Sequence, residues 1–115
     1  MTHHAVRLLP WSSPEGKPCY LIGDGTGSSH VSRVADNVES VQLDMADELL
    51  DHAAEMRADE EVTRAQLNFL VDCMTHSLRD VCRIAVSRGD RLRAAAFDGD
   101  GSMRDPGRAD PQCGI

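Results

Sequence analysis

The stretch VSRVADNVESVQLDMADELLDHAAEMRA, residues 31–58, decides the fold, because its apolar residues recur every three or four positions. This spacing puts them on one stripe of a helix with 3.6 residues per turn. The members of this first stripe are Val31, Val34, Val38, Val41, Met45, Leu49, His52 and Met56. Neither proline nor glycine interrupts the segment, and at ~1.5 Å per residue it would span roughly 40 Å. The sequence therefore predicts one long helix over residues 29–58.

The surface of this helix opposite the first stripe is acidic. Its carboxylates are Asp36, Glu39, Asp44, Asp47, Glu48, Asp51 and Glu55. Such a pattern is typical of a solvated charged face. Leu43 and Leu50 fall outside the stripe, so a second apolar surface needs its own cover. We expect that cover from the N-terminal segment or from another subunit.

A second helix is predicted over residues 63–88, antiparallel to the first because the link between them is short. Thr63 and Gln66 match the T-x-x-Q capping box at its start, and Arg88 followed by Gly89 supplies the usual signals of its end. Its predicted core stripe is Leu67, Leu70, Val71, Met74, Leu78, Val81 and Ala85. Phe69, Cys73 and Ile84 lie on its flank and back, which is more apolar surface than a simple helical hairpin can bury.

Two short apolar runs precede the helices, AVRLLPW at 5–11 and CYLI at 19–22, separated by the turn-forming residues SSPEGKP. They predict a β-hairpin or extended arm over residues 5–22. An isolated hairpin is not stable in water, so it must pack on the helices. Trp11 and Tyr20 are the expected anchors, with Leu43 and Leu50 as their landing site.

The segment Gly23–Ser29 (GDGTGSS) connects the hairpin to the first helix, with Ser28 or Ser29 as the expected N-cap. Its position between a strand and a helix is that of a phosphate-binding loop. However, it lacks both the P-loop pattern and the last glycine of the dinucleotide fingerprint, and Asp24 would repel an anion. A plain turn is the preferred interpretation.

Composition restricts the function classes. The chain has 115 residues and a net charge of −7, which disfavours direct nucleic-acid binding because phosphate contacts need clustered Lys and Arg. No apolar run reaches the ~20 residues of a membrane span. We expect no secretory signal at the N-terminus, and hence a cytoplasmic protein with its four cysteines reduced.

No catalytic, cofactor-binding or metal-binding constellation emerges from the sequence. His52 lies on the first stripe and is expected to be a buried, hydrogen-bonded histidine, whereas His76 is expected to be exposed. No two histidines form an H-x-x-x-H pair, and no nucleophile carries a local signature. Cys73 and Cys82 are nine residues apart and point to opposite sides of one helix, so they are read as small apolar residues. We therefore predict a protein that is not an enzyme.

Several stretches resemble a small uncharacterised actinobacterial protein family. They are Leu8–Trp11 (LLPW), Gly16–Leu21 (GKPCYL), Ser32–Asp36 (SRVAD), Leu49–Ala53 (LLDHA) and Ser87–Gly89 (SRG). The resemblance covers about residues 5–92. It implies a bacterial cytoplasmic setting and no particular mechanism.

The predicted fold is mainly α. A single α-rich domain over residues 1–92 consists of a short β-hairpin or N-terminal arm and a long antiparallel helical hairpin, and residues 93–115 form a disordered tail. The predicted function is a non-enzymatic protein-interaction or regulatory module, a homodimer. The predicted interaction surface is Leu43, Leu50, Phe69, Ile84 and Trp11. Two alternatives remain open: a small-molecule or nucleotide-binding protein using the Gly23–Ser29 loop, and an acidic mimic of DNA that binds a basic protein.

Overall fold

The computed structural model of the chain describes residues 5–23 and 29–100. Strands β1 (Ala5–Ser12) and β2 (Pro18–Gly23) form an antiparallel hairpin, followed by helices α1 (His30–Ala58) and α2 (Arg64–Asp100). The prediction of a mainly helical fold, with a β-hairpin before a long helical hairpin, is confirmed. The assignment of residues 1–92 to one domain stays a prediction.

Local capping signals set the start of both helices. The Ser29 hydroxyl accepts the amide N–H of Ser32 at 3.1 Å and caps α1. At the start of α2, the Gln66 N–H donates to Thr63 Oγ1 at 3.1 Å, and the Thr63 N–H donates to Gln66 Oε1 at 2.8 Å. The predicted capping box is therefore present, and each cap satisfies N–H groups that have no partner within the helix.

The predicted end of the second helix is wrong, because α2 continues from Arg88 through Gly89 to Asp100. A helical glycine costs only about 1 kcal/mol relative to alanine, and tertiary contacts on both sides of Gly89 offset that cost. Ser87 Oγ donates to the Leu8 carbonyl of β1, and Arg91 pairs with a carboxylate of α1. Residues 93–100, predicted to be disordered, are thus helical, and residues 101–115 lie outside the described part of the chain.

The hairpin closes through the Ser13–Lys17 turn. The Ser13 N–H donates to the Lys17 carbonyl at 2.8 Å, and Gly16 takes the positive φ of 82° that the turn requires. Ladder pairing is regular from Ala5↔Gly23 to Leu8↔Tyr20 and becomes irregular between Leu8 and Ser12. The irregular stretch contains Pro10, which has no N–H to contribute to a ladder.

The buried face of α1 is not the predicted stripe. Its buried residues are Ser32, Ala35 and Glu39, each one position after a member of the first stripe and therefore about 100° further around the helix. Val34 and Val41 of that stripe are 37% and 56% exposed. The assignment of Glu39 to the solvated acidic face is also wrong, because the side chain is 1% exposed. This polar face of α1 is the inner one because β1 supplies a polar partner for it, Arg7.

The apolar core is correspondingly small. Among the described side chains, the buried apolar ones are Leu9, Pro10, Ala35 and Ile84. Fourteen large apolar side chains of the described residues, in contrast, are exposed. The fold therefore leaves much of its apolar surface uncovered.

Candidate functional site

The β-hairpin docks on the helices through a polar joint centred on Arg7. The Arg7 Nη1 donates to the Ser32 carbonyl at 3.0 Å and to Ser32 Oγ at 2.6 Å, and Nη2 donates to Asp36 Oδ1 at 2.7 Å. Along β1 the buried side chains alternate, with Arg7 and Leu9 inward and Val6 outward. An arginine on the inner face of a strand requires an acceptor inside the protein. This alternation was the sequence signal for the joint, and it was missed.

Glu39 is the buried carboxylate of the joint. Its oxygens lie 3.3 Å from Arg7 Nη2, 3.2 Å from Arg88 Nη2 and 3.6 Å from Arg91 Nη2. Burial and the nearby Arg7 lower the pKa of Arg91 below its ordinary value, while Glu39 and Asp36 act in the opposite direction. The guanidinium of Arg91 nevertheless stays charged at physiological pH, because the ordinary pKa of arginine lies far above that range. The joint ties the hairpin and both helices together by charge, and its carboxylate is closed to solvent.

The free edge of β1 is also satisfied by helix side chains. Ser87 Oγ donates to the Leu8 carbonyl at 2.9 Å. Gln42 Nε2 and Arg83 Nη1 donate to the Pro10 carbonyl at 2.9 and 3.3 Å. We call residues 30–42 of α1 and 80–96 of α2 the covered half of the helical hairpin, because all these contacts lie there, and residues 43–58 and 64–79 the open half.

A groove between the two helices continues from the covered half into the open half. Its volume is about 490 Å³, and its lining residues are Gln42, Met45, Glu48, Leu49, His52, Met56, Phe69, Leu70, Cys73, His76, Ser77 and Asp80. Gln42 belongs both to this groove and to the contact with Pro10. The groove thus begins where the β-hairpin ends its cover, and its walls are mainly apolar.

Two buried polar atoms lie on the groove-lining residues. Gln42 Oε1 and Ser77 Oγ are buried, and neither has a hydrogen-bond partner among the described residues. The orientation of the Gln42 amide follows from its neighbour, because only Nε2 can donate to the Pro10 carbonyl. His52 and His76 also line the groove and are both exposed. The prediction of a buried His52 is wrong, and the prediction of an exposed His76 is confirmed.

The face of the helical hairpin opposite the groove, which we call the back face, is apolar as well. Helical spacing places on it Leu43, Leu50, Val71 and Leu78, each one position and therefore about 100° after a groove-lining residue, and Leu67, one helical turn before Val71. Leu50, Val71 and Leu78 are 60%, 59% and 58% exposed. Leu43 is half-buried.

The structure separates the five predicted interaction residues. Leu43 and Leu50 lie on the back face, and Phe69 lines the groove and is 69% exposed. Ile84 is 3% exposed, so its assignment to the interaction surface is wrong. Its position on α2 faces the hairpin joint, between Arg83 and Ser87, which both bond to β1. Trp11 is half-buried, and Tyr20, the other expected anchor, is exposed.

The cysteines and the connecting loop add little to the site. Cys19 and Cys73 are free thiols, whereas Cys82 is disulfide-bonded, contrary to the expectation that all four are reduced. In the described part of the chain, no group of three or more His, Cys, Asp or Glu residues is arranged to hold a metal ion. Residues 24–28 of the Gly23–Ser29 loop lie outside that part, so the loop alternative stays a prediction.

Comparisons with known proteins assign no family. No protein-family model matches the chain, and neither curated proteins nor solved structures gave a match. The actinobacterial resemblance therefore stays an expectation. Over the residues that the structure describes, neither helix combines the length and apolarity needed to cross a membrane.

Proposed function

We propose that this chain is a non-enzymatic protein-interaction module that acts as a homodimer, with the second copy docked on the back face. The observation that carries the proposal is the inversion of burial. Among the described residues, fourteen large apolar side chains are exposed, while Arg7, Ser32, Glu39 and Ser87 are buried. Exposed apolar side chains that cluster on one face, rather than lie scattered singly, favour an interaction surface, and the back face gathers four of the fourteen.

Covering the back face would stabilise the protein. Burying a Leu or Val side chain stabilises a protein by about 1.5–3 kcal/mol relative to leaving it in water. Leu50, Leu67, Val71 and Leu78 are all more than 40% exposed, so covering them would recover much of that amount for each. The β-hairpin cannot supply this cover, because its hydrogen bonds go to the covered half.

Charge distribution favours a second copy as the partner. Helix α1 has seven acidic and two basic residues, a net charge of −5. In the open half, residues 43–58 of α1 have five acidic and one basic residue, a net charge of −4, and residues 64–79 of α2 have two arginines and one aspartate, a net charge of +1. A two-fold contact that lays α1 of each copy on α2 of the other therefore pairs segments of opposite net charge and uses the same surface on both copies. In such a dimer both interhelical turns lie at the same end.

The test is sedimentation velocity of the full chain at micromolar concentration. We expect the parent to sediment at about twice the monomer mass of 12.5 kDa. Leu50→Glu and Val71→Glu should each give the monomer, because a carboxylate would be buried without a partner.

Phe69→Glu is the matched control, since Phe69 is as exposed as Leu50 but lies in the groove. This variant should stay dimeric. A monomeric parent would overturn the proposal. Dissociation by Phe69→Glu together with an intact Leu50→Glu dimer would place the contact in the groove and would overturn the back-face assignment.

A further inference from the structure

The groove has the size and composition of a small-molecule site. Its volume of about 490 Å³ falls within the range of about 300–1,000 Å³ that ligand pockets occupy, and such pockets combine apolar walls with a few placed polar groups. The walls here are formed by Met45, Leu49 and Met56 of α1 and by Phe69 and Leu70 of α2. The back face, in contrast, is a surface suited to a second helix pair.

The polar groups at one end of the groove determine which hydrogen-bonding groups a ligand needs. Gln42 Oε1 is an acceptor only, and the amide nitrogen of the same side chain donates to the Pro10 carbonyl. Ser77 also lines the groove, and its buried Oγ has no hydrogen-bond partner among the described residues. An unpaired buried polar group costs about 1–3 kcal/mol. A ligand hydroxyl at this end can donate to Gln42 Oε1 and accept from the Ser77 hydroxyl, and a ligand ammonium can donate to both, so either group would remove that cost for both oxygens.

The charge of the groove-lining residues further restricts the class of ligand. Glu48 and Asp80 line the groove, and none of its described lining residues is a lysine or arginine. Asp80 is paired with Arg83 at 3.4 Å, whereas Arg83 itself turns toward the Pro10 carbonyl. An anionic head group would therefore meet carboxylates of its own sign, and a neutral or cationic one would not.

We propose that the groove binds a small amphiphile with an apolar body and a neutral or cationic hydrogen-bond donor, an alcohol or an amine. An alcohol donates its O–H to Gln42 Oε1 and accepts from the Ser77 hydroxyl, whereas an ammonium donates to both oxygens. The apolar body lies along Leu49, Phe69 and Leu70. The site is separate from the back face, so it goes beyond the proposed dimer and does not depend on it.

The experiment compares three probes with the same ten-carbon body: 1-decanol, decylamine and decanoate. Each is titrated below its aggregation concentration into the full chain labelled with ¹⁵N, at physiological ionic strength. We expect decanol and decylamine to bind at least ten-fold tighter than decanoate, with the largest amide shifts at Leu49, Phe69 and Cys73. Ser77→Ala should weaken decanol binding about five-fold, the effect of one lost hydrogen bond, without changing decanoate binding.

Two variants fill the groove from opposite walls. Cys73→Phe fills it from a half-buried position, and Met45→Trp fills it from a position that is 55% exposed, where folding is not at risk. Each should weaken decanol binding at least ten-fold. Asn68→Phe adds an aromatic ring to an exposed position of α2 outside the groove, and its binding should equal that of the parent.

The outcomes separate this proposal from the dimer. Binding is also measured in Leu50→Glu, which should bind decanol like the parent whether or not the parent is a dimer. Equal affinity for all three probes, or binding that survives Met45→Trp, would overturn the proposal. If Met45→Trp instead dissociates a dimer in sedimentation, the occupant of the groove is a second copy of the chain, and the ligand proposal is wrong.

Discussion

The covered and open halves of the helical hairpin are built from the same two helices but are stabilised in opposite ways. In the covered half, Glu39 and Ser87 are 1% exposed and are tied by hydrogen bonds and ion pairs to β1 and α2. In the open half, apolar side chains such as Leu50 and Phe69 are 60% and 69% exposed. The difference teaches that burial in this chain follows the position of the β-hairpin and not the hydrophobicity of the helix faces. It also separates the part that holds the fold from the part available for binding.

The largest expected effect is the loss of the buried carboxylate. Glu39→Ala leaves Arg7, whose side chain is 8% exposed, without its buried counter-charge, and breaking such a pair costs about 3–5 kcal/mol. The measurement is the free energy of unfolding from urea denaturation at fixed protein concentration. Glu48→Ala, which removes an exposed carboxylate in the open half, should change it by less than about 0.5 kcal/mol.

A double variant checks the reason for this effect. Arg7→Met combined with Glu39→Leu removes the buried ion pair, and replacing such a pair by apolar groups is often close to neutral. The other partners of Glu39, Arg88 and Arg91, are 51% and 34% exposed and can be hydrated instead. We expect the double variant to recover most of the stability lost in Glu39→Ala. A double variant as unstable as Glu39→Ala would show that the joint acts by more than charge pairing.

The second-largest expected effect is the loss of stability when a buried apolar residue of α2 is truncated, compared with an exposed one. Ile84→Ala should lower the free energy of unfolding by about 2–4 kcal/mol, because Ile84 is 3% exposed and its truncation leaves a cavity. Phe69→Ala removes a larger side chain that is 69% exposed and should cost under about 1 kcal/mol. Similar losses for the two variants, in parallel urea melts, would contradict the division into halves.

The smallest expected effect tests whether α2 passes through Gly89 without a break. Gly89 has no positive φ, and an added Cβ would lie 3.8 Å from Arg93 Nη1, an ordinary contact. Gly89→Ala should therefore stabilise the chain by about 0.5–1 kcal/mol. Gly16→Ala is the matched control and should destabilise, because Gly16 has a φ of 82°. Thermal denaturation of both variants gives the sign, and a loss of stability in Gly89→Ala would mean that the helix ends there.

The sequence by itself determined the local elements of this protein. The Ser29 cap, the Thr63–Gln66 capping box and the turn around Gly16 depend on interactions between residues at most four positions apart. Patterns of this range can be read from the chain directly, so the two helices and the β-hairpin were predicted. The sequence also predicted that Leu43 and Leu50 share one face of α1, because residues seven positions apart lie on the same side of a helix.

Only the tertiary structure decided which helix face is inside and where α2 ends. Arg7 reaches Ser32 and Asp36 across 25 and 29 positions of sequence, and Ser87 reaches Leu8 across 79. These contacts turn a polar face of α1 inward and hold α2 through Gly89. The free energy of a buried charge depends on partners distant in sequence, whereas periodicity measures only hydrophobicity along one element. For that reason the groove, with the unpaired oxygens of Gln42 and Ser77, became visible only once both helices and the hairpin were in place.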